Sequence, residues 1–210
     1  IALDRPSIMR MQIEALIRAS NGRKLSIMFP LISQDSEFYK AKELVDRVLS
    51  GEKRLGHNIP NELKVGAMLE TPSLAYAPED FFTAVDFLSV GGNDLKQFFF
   101  AADRENELVR RKYDTLSSSF LTYLKFVINR CKELKTPISF CGEDAGRPIE
   151  AVCLCAIGFS SLSMRPASIG PVKHLLRRVN LEELNNIMNS EIASGSSSVR
   201  TAVEKYIKSI

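Results

Sequence analysis

Chemistry-bearing residues in this chain collect where apolar runs stop. The run at residues 85–90 ends in Gly91-Gly92 and then Asn93-Asp94, and Arg104 follows one short helical segment later. The run at 64–69 ends in Glu70, and the run at 137–140 ends in Cys141-Gly142-Glu143. An apolar strand followed by small residues and then an acid or amide is how an α/β protein presents polar groups at the carboxyl end of a strand. Glycines there let backbone come close to a ligand, because they carry no Cβ. Asp94 can hold a hard divalent cation, and Glu70 with Asp94 makes a carboxylate pair suited to Mg²⁺, leaving positions open for substrate oxygens. Arg104 can make a bidentate contact to phosphate or carboxylate. Cys141 sits at a strand end, where a thiol can donate a proton or act as a nucleophile. A carboxylate at a single strand end is commonly a cap or turn residue, and a strand cysteine is commonly a small hydrophobe. Three strands ending this way is what makes a shared site the stronger reading. Cys153 and Cys155 read as helix core residues. His57 and His174 have no motif around them and read as structural or solvated.

The elements that must position these residues alternate. Strands are expected near residues 24–30, 64–72, 85–90, 136–143 and 161–164. Helices are expected over 6–20, 33–49, 73–83, 117–134, 148–157 and about 169–179. Asp4 is a candidate cap for the first helix, and Asn21-Gly22 a left-handed stop. Residues 51–60 read as a loop carrying His57. Two more helices, 181–192 and 199–207, close the chain, with the serine run 194–198 as a flexible joint between them. The alternation implies an α/β chain with a parallel sheet. The spacing suits a (β/α)8 TIM-type barrel, but five strands are not eight, and a full barrel needs about 250 residues. The expectation is the C-terminal part of such a barrel, with roughly the first three strands preceding Ile1. The start at Ile rather than Met fits a piece of a longer protein.

Composition sets the class. The chain has 210 residues, of which 45% are hydrophobic and 25% charged, with a formal charge of +3, which is ordinary for a soluble globular protein. No basic stripe interleaved with aromatics points to nucleic acid. No apolar run approaches the length of a membrane span. The four cysteines lack zinc-site or disulfide-scaffold spacing, so the expected setting is reducing and cytoplasmic.

Together, GAMLETP, VDFLSVGGNDLKQFFFAADREN, FCGEDAG and SLSMRPASIGPVK resemble the phosphoenolpyruvate-binding barrel of Enzyme I of the phosphotransferase system. The opening IALDRPSIMRMQIEALIRAS and the strand KLSIMFPLIS are similar to it as well. The resemblance runs from Ile1 to about Val179, and DREN with SLSMRPASIGPVK looks closer to the nitrogen-regulatory paralogue than to the sugar-transport enzyme. The whole of 1–210 then reads as the C-terminal portion of that barrel domain, the helices from about 181 included.

The resemblance implies a reaction. The family moves phosphate from phosphoenolpyruvate to a histidine in its own N-terminal half with Mg²⁺, releasing pyruvate, and then to an HPr-type carrier protein. Glu70 and Asp94 match the family's metal ligands, Asn93 and Arg104 match residues holding the phosphate, and Cys141 matches the residue that protonates C3 of the enolate. The family's domain also forms a homodimer. The histidine and the arginines of the early strands have no counterpart here, so these residues alone are expected to be inactive. Gly92 stands where the sugar-system enzyme has threonine, Asp144 where it has an apolar residue, and Arg165 where a small residue is common. Arg165 is expected to pair with a local acid. Pyruvate phosphate dikinase and phosphoenolpyruvate synthase share the barrel, and a non-catalytic dimerisation module is the reading from another class. The intact set Glu70, Asn93, Asp94, Arg104 and Cys141 argues against the latter.

Overall fold

A computed structural model describes residues 3–103, 106 and 113–210. The sheet comprises β1 (Leu25–Phe29), β2 (Leu63–Leu69), β3 (Leu88–Gly91), β4 (Ile138–Cys141) and β5 (Leu162–Ser163). All four pairings are parallel, and the spatial order is the chain order, β1-β2-β3-β4-β5. A doubly wound sheet reverses its strand order at a switch point; this one does not. The sequence expectation of a parallel α/β sheet is met, with a strand order like that of consecutive barrel strands.

The helices are α1 (Ser7–Ser20), α2 (Asp35–Arg54), α3 (Glu79–Ala84), α4 (Gly92–Phe100), α5 (Ser118–Glu133), α6 (Pro148–Ile157), α7 (Pro166–Leu176), α8 (Leu181–Ala193) and α9 (Arg200–Ser209). Side-chain period explains how they cover the sheet. Successive strand residues face opposite sides, and the row Leu69, Val90, Phe140 is fully buried with the core side chains of α2, α5 and α6. Phe38, Phe81 and Phe82 stack edge to face in the same core. The opposite face is mixed: Met28 is 36% exposed, Ser163 is exposed and Cys141 half-buried, while Ser89 and Gly91 between them are buried.

Several local expectations need correction. Asp4 is not the N-cap residue of α1; Pro6 holds that position and makes no side-chain cap hydrogen bond. The stop at Asn21 and Gly22 is as expected, both at positive φ. Helix α2 runs on to Arg54, because its last turn is tied to α1: Arg18 donates to both carboxylate oxygens of Glu52, at 2.7 and 2.8 Å. His57 Nδ1 lies 2.6 Å from the same carboxylate. The hydrogen bond from Arg18, aided by His57 and opposed by desolvation, holds Glu52 down to about 2. His57 is thus a structural residue on the side of the sheet where strands begin. The helix expected over 73–83 is a 3-10 turn (Pro72–Tyr76) and then α3, separated at Pro78. Helix α7 begins at Pro166 rather than 169, because Arg165 is extended and proline suits the first helical position.

The serine run is not a flexible joint. Ser118 donates from its backbone N–H to the Ser197 carbonyl (3.0 Å), and Val199 does the same to Leu116 (3.0 Å). The Ser198 hydroxyl also reaches the Leu116 carbonyl. A small-residue stretch read as slack is instead hydrogen-bonded to the segment before α5.

Candidate functional site

Register brings two of the candidate residues, Glu70 and Cys141, level with one another. Gly91 of β3 pairs with Cys141 of β4, and Cys141 pairs with Ser163 of β5. Leu69 pairs with Val90, so Glu70 comes level with Gly91. Residues level with one another in a parallel sheet share a face. Glu70, Gly91, Cys141 and Ser163 therefore form one row across four strand ends, on the face away from the helices. Close packing at Gly91 bears this out: a Cβ there would lie 2.8 Å from Glu70 Oε2 and 2.9 Å from Met68 Sδ. A side chain at 91 would have to displace the carboxylate of Glu70 and the thioether of Met68.

Glu70 is buried, and its Oε1 accepts the backbone N–H of Leu31 at 2.6 Å. Leu31 has φ +52, a left-handed conformation that costs a leucine about 1–2 kcal/mol. Thr71 donates to the Ile32 carbonyl (2.7 Å) and Ser73 to that of Ser33 (3.0 Å), so the loops after β1 and β2 are stitched together over Glu70. Backbone strain held in place by such contacts is characteristic of functional sites.

Asn93 and Asp94 lie in the first turn of α4, where a carboxylate is favoured by the helix dipole. Asn93 Oδ1 accepts the Glu143 N–H at 3.1 Å, fastening α4 to the turn that follows Cys141. That turn passes through Gly142 at φ +128, where a Cβ would also crowd Asn93 Oδ1 at 3.0 Å. Arg104 lies outside the described residues. Arg165 Nη2 is 3.9 Å from Glu143 Oε1, between exposed side chains, the local pairing expected.

Gly92 has a steric reason in this chain. A Cβ there would sit 2.3 Å from Phe140 Cζ and 3.0 Å from the Cys141 carbonyl oxygen. Phe140 is fully buried and cannot yield cheaply. Gly92→Ala is expected to cost about 1–3 kcal/mol through overpacking, read as a lower urea midpoint with unchanged slope. An unchanged midpoint would mean that the Phe140 ring has room the geometry denies it.

Sequence reasoning missed the polar cluster beneath the rim. Asp144 is buried; Lys96 Nζ of α4 donates to its Oδ2 at 2.6 Å, the Thr115 hydroxyl donates to the same oxygen, and Arg147 lies 3.2 Å from Oδ1. Burial alone would raise the Asp144 pKa, but Lys96, with Thr115 and Arg147, outweighs it and holds the carboxyl below its usual range. Asp144, an acid at a place where the resemblance expects an apolar residue, was the available signal. Its partner Lys96 was not legible, being 48 residues away.

Only two of the four cysteines are accessible. Burial pushes the thiols of Cys131 and Cys153 up to about 12, and raises that of half-buried Cys155. Burial also bars reagent, so Cys141 and Cys155 are expected to be alkylated by iodoacetamide before Cys131 and Cys153, as read by peptide mass spectrometry. Prior labelling of Cys131 or Cys153 would contradict their burial.

In donor chemistry the site fits a hard cation: Glu70 and Asp94 are carboxylates, and the missing Cβ at Gly91 clears the space beside Glu70 Oε2. Among the described residues, no group of three or more His, Cys, Asp or Glu gathers that could hold a metal ion, and no helix is long and apolar enough to cross a membrane.

Comparisons with known proteins identify the family of the chain. The phosphoenolpyruvate-protein phosphotransferase of Latilactobacillus sakei is 36% identical over 210 residues, 99% of this chain and 37% of that protein. The enzyme of the same name from Staphylococcus carnosus is 34% identical over 209 residues, covering 99% and 36%. An Escherichia coli protein named phosphoenolpyruvate-dependent phosphotransferase system is 33% identical over 211 residues, covering 99% and 28%. The chain thus spans about a third of the length of these relatives. A citrate lyase from Burkholderia xenovorans, at 18% identity and a TM-score of 0.55 over 90% of this chain and 61% of that one, shares the fold. The family model for the PEP-binding domain of PEP-utilising enzymes matches residues 1–181. With that match and relatives above 30% identity along nearly its whole length, this chain belongs to the PEP-binding domain family of PEP-utilising enzymes.

Proposed function

We propose that this chain is the C-terminal part of the barrel domain of a phosphoenolpyruvate-dependent protein-histidine phosphotransferase. The observation that carries this is the row Glu70–Gly91–Cys141 at the ends of three adjacent parallel strands, in a chain of this family. Glu70 and Asp94 would hold Mg²⁺. When bound, the ion offsets negative charge on the phosphoryl group and on the enolate left behind. Asn93, which accepts the Glu143 N–H, and Arg104 would bind the phosphate. The phosphoryl group leaves for a histidine outside this chain. Cys141 then gives its thiol proton to C3 of the enolate: the C–H bond forms as S–H breaks, and the thiolate is reprotonated from water. Ketonisation draws the transfer forward. An HPr-type carrier would take the phosphate from the histidine, and a homodimer is the proposed assembly.

The test is titration of phosphoenolpyruvate into the protein with and without Mg²⁺, followed by calorimetry. Saturable, Mg²⁺-dependent heat that is lost in Glu70→Gln supports the reading. The Gln variant keeps an acceptor for Leu31 while removing the charge. Equal binding by wild type and Glu70→Gln would overturn the metal assignment. The 210 residues alone are expected to form no pyruvate, because they supply no phosphoryl-accepting histidine; carrier phosphorylation by the isolated chain would refute that.

A further inference from the structure

Arg200 lies beyond residue 181, where the family match ends, yet it is among the most heavily bonded side chains described. From the first turn of α9, its Nε and Nη2 donate to both oxygens of Asp114 at 2.6 and 2.8 Å, and Nη2 also donates to Glu150 of α6 at 2.7 Å. Glu204 is a further partner at 3.6 Å. Asp114 in turn accepts the Leu116 N–H, at 3.1 Å, and Leu116 accepts Val199 N–H and the Ser198 hydroxyl. The segment 114–117 is therefore clamped by the start of α9 on one side. On its other side Thr115, only 1% exposed, donates to Asp144 and accepts from Lys96 at 3.3 Å. Asp144 is three residues after Cys141 in the turn that Asn93 also holds. The contacts are continuous from α9 to the rim.

We infer that Arg200 is a positioning residue for the site: through Asp114 and Thr115 it sets where Asp144 holds Lys96 and the Cys141 turn. It touches no reacting atom. The geometry favours this over simple helix anchoring, because the segment it grips carries Thr115 into a buried charged cluster. Coupling of this kind runs through hydrogen-bonded and packed groups with few alternative arrangements. What the rim binds rests on the proposed function; the coupling does not.

The test uses Arg200→Gln, Arg200→Lys, Thr115→Val and Asp144→Asn in this chain. Three quantities are read: the alkylation rate of Cys141 relative to Cys155 in the same molecules, hydrogen exchange at residues 142–147, and the phosphoenolpyruvate affinity with Mg²⁺. Arg200→Gln is expected to speed exchange in 142–147 about tenfold and to change the Cys141 rate and the affinity about fivefold each, with Cys155 steady and partial rescue in Arg200→Lys. Combined with Asp144→Asn, it should add little further, since both cut one line of contacts. Changes confined to 113–118 and α9, or effects of Arg200→Gln and Asp144→Asn that simply multiply, would overturn the inference. If Arg200→Gln loses its fold, with both cysteines reacting faster, Thr115→Val decides: it leaves the Arg200–Asp114 pair intact and must reproduce the Cys141 change. No phosphoenolpyruvate binding by the wild type would refute the proposed function alone, since the thiol and exchange readings still test the coupling.

Discussion

Replacing Cys141 with alanine in a full-length enzyme carrying this domain is expected to slow pyruvate formation about 10²- to 10⁴-fold, the range over which a positioned proton donor acts. Phosphoenolpyruvate affinity should move little, because the thiol is needed only after the phosphoryl group has left. Cys141 is half-buried at a strand end, so the loss of its sulfur opens no core cavity and the fold should persist. Single-turnover measurements separate the steps. Phosphate should still appear on the accepting histidine while pyruvate lags, released as the enol that ketonises in solution. Cys141→Ser, which keeps a donor but one that yields its proton less readily, should fall between the two. Wild-type pyruvate formation in Cys141→Ala would leave the row of strand-end residues as a binding surface and remove the thiol from the chemistry.

The second large effect is on stability. Lys96→Met should destabilise the protein by about 3 kcal/mol, the cost of leaving one partner of a buried ion pair behind. Thr115 and Arg147 remain on Asp144, and so temper the loss. The pH dependence identifies the cause. In the wild type the Asp144 carboxyl titrates below its ordinary range. Its stabilisation is therefore complete above the unfolded carboxyl's pKa and is lost only as pH falls through the lower folded value. In Lys96→Met the dominant influence left is burial, which raises the carboxyl's pKa. The variant should then take up its proton first as the solution is acidified. The gap in melting temperature between the two proteins should accordingly shrink on going from neutral pH into the acid range. A gap that stays constant with pH would mean that Lys96 acts by packing its methylenes rather than by its charge.

Much of the site could be read from residue types alone. A carboxylate, an Asn-Asp pair and a thiol each stand where an apolar run stops, and backbone period and turn chemistry are properties of a few neighbouring residues. Asn21-Gly22 as a stop, α6 over Pro148–Ile157 and five strands in a parallel sheet followed from the same local rules. The same rules misjudged residues 194–198. A run of small polar residues has the composition of a linker, but hydrogen bonds to 116–118 hold it.

What the chain could not show by itself is which distant groups meet. Placing Glu70, Gly91, Cys141 and Ser163 in one row depends on register, and a shift of one residue would turn a strand's side chains to the other face. Lys96 finds Asp144 across 48 residues, and Arg200 finds Asp114 across 86. Local sequence determined the kinds of groups and the elements that carry them, because secondary structure is built from near-neighbour sterics and hydrogen bonds. Only the folded sheet decided their partners, because burying one shared face fixes strand order and register, and with them every contact at the rim.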